Sequence, residues 1–198
     1  MSVFVKICGV RTLEDALACA EAGADAIGFN FWPGSKRFVS IDAAAEIARA
    51  LAPGGPRRFG VFVDAPEEEV ARVLALDVVH LAQLHGDEPP EYCAPFGERF
   101  VKAIRLRDAA SLEALDRYGG ELALVDADAP GYGGSGLGAD RALARAAAKR
   151  RKVLLAGGLT PDNVAEAVRE VEPFGVDVAG GVEQAPGIKD WKKIAAFV

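Results

Sequence analysis

Short runs of apolar, often β-branched residues alternate along the chain with amphipathic, alanine-rich runs, and the alternation repeats eight times. The apolar runs are VFVKIC (3–8), AIGFNF (26–31), RFGVFV (58–63), VVHLAQL (78–84), FVKAIR (100–105), LALVDA (122–127), KVLLAG (152–157) and VDVAG (176–180). Their near-continuous hydrophobicity is what strands of a parallel sheet, covered on both faces, require. Between them the spacing predicts helices over 12–22, 42–52, 66–76, 89–96, 108–118, 139–149, 161–171 and 189–197. Eight successive βα units predict an α/β fold, a single (β/α)8 TIM barrel of eight parallel strands with outer helices, forming one catalytic domain over residues 1–198. A doubly wound open sheet is the alternative arrangement. Barrels of this kind typically run to about 250 residues, so 198 implies trimmed loops and helices.

Punctuation residues support several of these boundaries. Thr12, Asp42 and Ser111 stand at or near helix starts, and Thr160 followed by Pro161 has the pattern of an N-cap with proline at the first helical position. Gly23, Gly97 and Gly119 lie just past helical runs, where a left-handed cap residue is wanted.

Composition narrows the classes of partner. Apolar residues make up 51% and charged residues 26%, a globular balance. The net charge is -6, from 29 acidic against 23 basic residues, so nucleic acid is not an expected partner and an anionic ligand would have to be held by local donors. A basic, apolar leader pattern is missing from the start of the sequence and no apolar run is long enough to span a bilayer, which predicts a cytoplasmic protein without a membrane partner. Cysteines at 8, 19 and 93 have no paired spacing and are expected to be free thiols.

In a barrel, the strand C-terminal ends and following loops form the active face, so polar residues there carry functional weight. Strand 1 carries Lys6 and Cys8 on one face, strand 4 carries Gln83 and His85 on one face, and strands 6 and 8 carry Asp126 and Asp177. Gly157-Gly158 and Gly180-Gly181 follow strands 7 and 8, where many barrels bind a phosphate through backbone N–H groups. The glycine cluster 131–136 after strand 6 reads as a loop able to close over a substrate. Each feature also has a plain structural reading: a tight turn for a glycine pair, an inert buried thiol for Cys8, and an ion pair with Lys6 or Lys102 for either aspartate. His80 and His85 fall on opposite strand faces, which argues against a shared metal. Cys19, Cys93, Trp32 and Trp191 are expected to be packing residues.

Taken together, KICGVRTLEDA, GADAIGFNFWPGSKRFVS, GVFV, QLHGDE, LVDADAPGYGGSG, LAGGLTPDNVAEAV and VDVAGGVEQAPGIKD resemble, in order and spacing, the phosphoribosylanthranilate isomerase family across essentially the whole chain. The resemblance implies an Amadori rearrangement in tryptophan biosynthesis on a phosphorylated small-molecule substrate, without metal or organic cofactor, by a monomer or homodimer. It places the catalytic cysteine on Cys8, the aspartate general acid on Asp126, and the arginine associated with the anthranilate carboxylate on Arg37. Phosphate contacts fall on Gly157, Gly158, Gly180 and Gly181, and His85 joins the substrate-binding set. Lys6, on the Cys8 face, is expected to favour the thiolate. Gly180 stands where the family often has serine, and 137–141 replaces a frequent Phe-Asp-Trp-like segment. Other phosphosugar barrels fit less well: Asp126 occupies the strand where a Schiff-base aldolase would need lysine, and a non-catalytic phosphate binder has no use for Cys8 with Asp126.

Overall fold

The structure, a computed structural model, describes residues 3–127 and 141–198. The elements run β1 (Phe4–Cys8), α1 (Leu13–Glu21), β2 (Ala26–Asn30), α2 (Ile41–Ala50), β3 (Arg57–Phe62), α3 (Glu67–Ala75), β4 (Leu81–Leu84), α4 (Pro90–Cys93), β5 (Phe100–Leu106), α5 (Ala109–Arg117), β6 (Leu122–Ala127), α6 (Arg141–Arg150), β7 (Lys152–Leu155), α7 (Val164–Val171), β8 (Gly175–Val178), β9 (Glu183–Ala185), β10 (Ile188–Lys189) and α8 (Trp191–Phe197). Strands β1 to β8 close into a parallel barrel in sequence order. Closure is made by β1 against β8, with Lys6 opposite Asp177 in the register, and this seam excludes the open sheet.

Because each strand is covered on both sides, the buried apolar residues fall into two sets. An inner set of Ala26, Phe59, Leu81, Val101, Ala103, Leu124, Leu154 and Ala156 fills the barrel, while a larger set packs the strands' outer faces against the helices. Lys6 is fully buried, its Nζ 5.3 Å from the centre of the Phe59 ring and 2.7 Å from Asp177 Oδ1. An apolar interior tolerates this cation because the carboxylate faces it across the seam.

Several boundaries differ from the sequence reading, each for a local reason. β4 starts at Leu81 rather than 78, since Val78 and Val79 pack outward and His80 Nδ1 accepts the Arg58 N–H. β8 ends at Val178, and Gly180–Val182 turns into a short 3-10 segment. Thr12 caps α1 through the Asp15 N–H, but α2 is capped by Ser40 rather than Asp42. Asp108 caps α5, with Ser111 as the reciprocal partner of a capping box. Thr160 is no helix cap: its N–H donates to Asn163 Oδ1, Asn163 Nδ2 donates to the Gly158 carbonyl, and α7 begins only at Val164. Gly23 and Gly97 take positive φ as expected, whereas after α5 that conformation belongs to Gly120 and not Gly119. The β9–β10 hairpin was not anticipated, its strands being too short to show a period. The 131–136 glycine cluster and positions 137–140 lie outside the described residues.

Candidate active site

At the C-terminal mouth of the barrel lies a cavity of about 430 Å³, within the usual range for a small-molecule site. Cys8, Arg37, His85, Asp126, Gly157, Gly158, Gly180 and Gly181 all line it, so residues more than 170 positions apart meet in one space. Gln83 and Asp177 contribute from deeper in the barrel, and the β9–β10 hairpin closes one side. The reason is topological: parallel closure puts every strand's carboxyl end on the same face.

Cys8 sits against β2, where glycine is required at position 28. A Cβ there would lie 2.9 Å from Cys8 Sγ and 3.2 Å from Lys6 Nζ. Burial pushes the Cys8 thiol above its ordinary pKa, and Lys6 and Lys189 pull it back without overcoming that rise. Lys6 thus favours the thiolate as expected, and it is burial that keeps the thiol high. Lys6 is itself shared: burial lowers its pKa, but Asp177 first and Cys8 second raise it overall.

Asp126 faces a different neighbour. Its Oδ2 is 3.7 Å from His85 Nε2, and His85 Nδ1 lies 3.2 Å from Gln83 Nε2. Of the two aspartates, Asp177 is thus the one that pairs with Lys6, while Lys102 pairs with Glu88 at 2.9 Å. Lys102 also donates to the Leu84 and Gly86 carbonyls, tying down the loop that carries His85.

Arg37 is neither a solvated loop residue nor free to swing. Its Nε and Nη2 donate to Glu183 Oε1 and Oε2 at 2.7 and 2.8 Å, a bidentate pair that locks the guanidinium plane at the cavity wall. Gly9, at φ 78°, makes room for this arm, since a Cβ there would lie 2.6 Å from Arg37 Cδ. Glu183 is buried, which alone would raise its pKa, yet Arg37 and Lys189 hold it below the usual carboxylate range. Lys189 is also buried and donates to Glu183 Oε1, the Cys8 carbonyl and the Ala179 carbonyl. Sequence reasoning missed Glu183, Lys189 and Glu88. The signal was their charge within segments that otherwise read as apolar or tightly turned.

Gly157 and Gly158 have φ of 95° and 66°, conformations that favour glycine. Gly181 serves a different need: a Cβ on it would lie 1.9 Å from the Leu159 carbonyl oxygen, so its bare α-carbon lets the loops after β7 and β8 pack together. At position 180 a Cβ would lie 3.2 Å from Arg37 Nη2, which places the frequent family serine beside the guanidinium. Trp32, expected only to pack, lines the cavity and also covers Gly34. Trp191 is exposed and donates from Nε1 to Asp15 Oδ1. Cys19 and Cys93 are buried as expected, their thiols pushed by burial to about 12 and about 11. No group of three or more His, Cys, Asp or Glu that could hold a metal occurs among the described residues.

Comparison with known proteins extends these observations over the whole chain. The family model described as N-(5'phosphoribosyl)anthranilate (PRA) isomerase matches residues 5–198. An N-(5'-phosphoribosyl)anthranilate isomerase of Myxococcus xanthus is 48% identical over 203 residues, covering 100% of this chain and 95% of that protein. The crystal structure of phosphoribosyl anthranilate isomerase from Thermotoga maritima superposes with a TM-score of 0.91 at 42% identity, covering 99% of this chain and 97% of that one. Another structure of such an enzyme, in complex with reduced 1-(o-carboxyphenylamino)-1-deoxyribulose 5-phosphate, has a TM-score of 0.86 at 39% identity and covers 99% of this chain and 96% of that one. With the barrel, its mouth and the family match agreeing from β1 to α8, the chain belongs to the N-(5'-phosphoribosyl)anthranilate isomerase family.

Proposed function

We propose that this enzyme converts N-(5-phosphoribosyl)anthranilate to 1-(2-carboxyphenylamino)-1-deoxyribulose 5-phosphate, the Amadori step of tryptophan biosynthesis, with Asp126 as general acid and Cys8 as general base. The observation that carries the proposal is the shared cavity: an acid and a thiol from β6 and β1 face one space rimmed by glycine loops. Asp126 gives a proton to the ribose ring oxygen, the C1–O bond breaks, and the anilino nitrogen lone pair forms C1=N. Cys8 then takes the C2 proton, whose electrons form C1=C2 and neutralise the nitrogen. The resulting enolamine tautomerises to the ketose, C1 gaining a proton. One acid and one base flanking the sugar meet this requirement without a redox partner.

Arg37, fixed by Glu183, binds the anthranilate carboxylate in this reading, while Gly157, Gly158, Gly180 and Gly181 present backbone N–H groups to the phosphate. His85 contacts the sugar between them. Both ligand anions are thereby held by local donors despite the protein's net negative charge. The reading includes one catalytic domain over residues 1–198, function as a monomer or homodimer in the cytoplasm, and no metal or organic cofactor. No helix among the described residues is long and apolar enough to cross a membrane. Mixing the purified protein with freshly generated phosphoribosylanthranilate should accelerate loss of its fluorescence; a rate equal to background refutes the proposal.

A further inference from the structure

We propose that Gln83 is a positioning residue for this reaction: its carboxamide NH2 fixes His85 as the Nε2–H tautomer facing Asp126, and its carboxamide oxygen is reserved for a hydroxyl of the bound phosphosugar. The inference rests on Asp126 acting as the acid.

Three observations carry it. Gln83 lines the cavity and is 1% exposed, and its Oε1 is the buried side-chain polar atom left without a hydrogen-bond partner among the described residues. Buried carboxamide oxygens are costly to leave unpaired, so an orphan at a cavity wall points to a donor that arrives with the ligand. A sugar hydroxyl is such a donor; phosphate and carboxylate oxygens are not. Second, Gln83 Nε2 lies 3.2 Å from His85 Nδ1, both side chains sharing one face of β4 and its extension. An amide N–H pointing at Nδ1 requires a lone pair there, which leaves the ring hydrogen on Nε2. Third, Nε2 lies 3.7 Å from Asp126 Oδ2, close enough to face the carboxyl and too far for a strong hydrogen bond.

The tautomer matters to the acid. If Nε2 were bare, it would accept the Asp126 proton and hold it away from the sugar ring oxygen. With Nε2 carrying hydrogen, the proton has no competing acceptor on the imidazole, and the N–H can move in to stabilise the carboxylate once that proton has left. The reverse amide orientation would leave Nε2 bare, the arrangement that withholds the proton from the ring oxygen. Sequence pattern explains the geometry: residues two apart on a strand point to the same face, so Q-x-H delivers both groups to the barrel interior.

The test reads the tautomer directly. The chain has two histidines, so long-range 1H–15N correlation spectra of the labelled protein, assigned with a His80→Gln variant, resolve His85. At a pH where the ring is neutral, His85 should be the Nε2–H form. Gln83→Glu replaces the donor by an acceptor of the same length and should move the hydrogen to Nδ1, with kcat falling by roughly tenfold or more, the scale of one lost hydrogen bond in a proton-transfer site. Gln83→Met should leave mixed tautomers and raise KM as well, because no oxygen remains for the sugar hydroxyl. A wild-type Nδ1–H tautomer overturns the proposal, as does wild-type kcat and KM in folded Gln83→Glu. Were Gln83→Met to misfold, the isosteric Gln83→Glu variant still decides. Should the wild-type protein fail to turn over phosphoribosylanthranilate, the functional reading fails, while the spectra still report whether Gln83 sets the His85 tautomer.

Discussion

Replacing Lys189 by methionine keeps most of the aliphatic stem and removes the ammonium that joins β10 to the active-site strands. Three contacts disappear: 2.6 Å to the Cys8 carbonyl, 3.1 Å to the Ala179 carbonyl and 3.1 Å to Glu183 Oε1. Breaking a buried ion pair commonly costs about 3–5 kcal/mol, most of it from the charge left behind. Here Glu183 keeps its bidentate Arg37 partner, so the low end, about 3 kcal/mol, applies. For a domain of this size each kcal/mol moves Tm by about 2–4 °C, which predicts a fall of about 6–12 °C by calorimetry. The same substitution removes one of the two cations that pull the Cys8 thiol down against burial. The pH profile of Cys8 alkylation, followed by mass spectrometry of its peptide, should therefore shift to higher pH. Cys19 and Cys93, with thiols at about 12 and about 11, will contribute little to that signal near neutrality. A Tm change below about 2 °C, or an unshifted alkylation profile, would refute the view that Lys189 is both a structural tie and a charge acting on Cys8.

Cys8→Ser and Asp126→Asn should each lower kcat by about 10² to 10⁴ with circular dichroism unchanged, and near-wild-type turnover in either would remove that residue from its assigned step. Because burial holds the Cys8 thiol high, the limb of kcat/KM reporting the thiolate should rise toward alkaline pH and vanish in Cys8→Ser. Arg37→Ala should reduce kcat/KM by one to two decades, from about 1.5–3 kcal/mol of charged hydrogen bonding, and Arg37→Lys should not restore it because the bidentate hold on Glu183 is lost. Glu183 has a folded pKa below its unfolded value, so its contribution to stability is fully present above about pH 4.3 and is lost as pH falls toward the folded value. The Tm difference between wild type and Glu183→Gln should accordingly shrink on acidification; a constant difference would contradict the pairing. Gly181→Ala forces apart the loops after β7 and β8, since its methyl would lie 1.9 Å from the Leu159 oxygen, and overpacking of this kind costs about 1–3 kcal/mol. Inorganic phosphate should also compete less well against substrate in that variant, and unchanged inhibition would detach Gly181 from the phosphate loops.

Much of this architecture was legible from local pattern. Parallel strands covered on both faces must be apolar nearly throughout, and helices packed on one side must be amphipathic, so the eight units could be counted without knowing what touched what. The placement of Cys8, Asp126 and the glycine pairs at strand ends was equally visible, because strand direction and the period of two assign both end and face. Helix starts were less so: Thr12 behaves as its type suggests, yet Ser40 rather than Asp42 takes the α2 donor, and α7 starts past Thr160, whose own N–H is taken by Asn163 Oδ1.

Charge partnership could not be read in this way. Lys6 faces Asp177 only because β1 closes on β8, and Lys189 reaches the Cys8 carbonyl only because a hairpin of a few residues folds back over the barrel mouth. These contacts join residues 171 and 181 positions apart. No local period encodes such a meeting; it follows from closure. The sequence by itself determined which segments are strands and helices and which chemistry stands at the strand ends, because those depend on nearest neighbours along the chain. The tertiary structure alone decided that Lys6 is spent on Asp177, that Arg37 is locked by Glu183 and that Cys8 is buried beyond rescue by either lysine, because each of these is a balance of desolvation against a partner delivered from the far end of the chain.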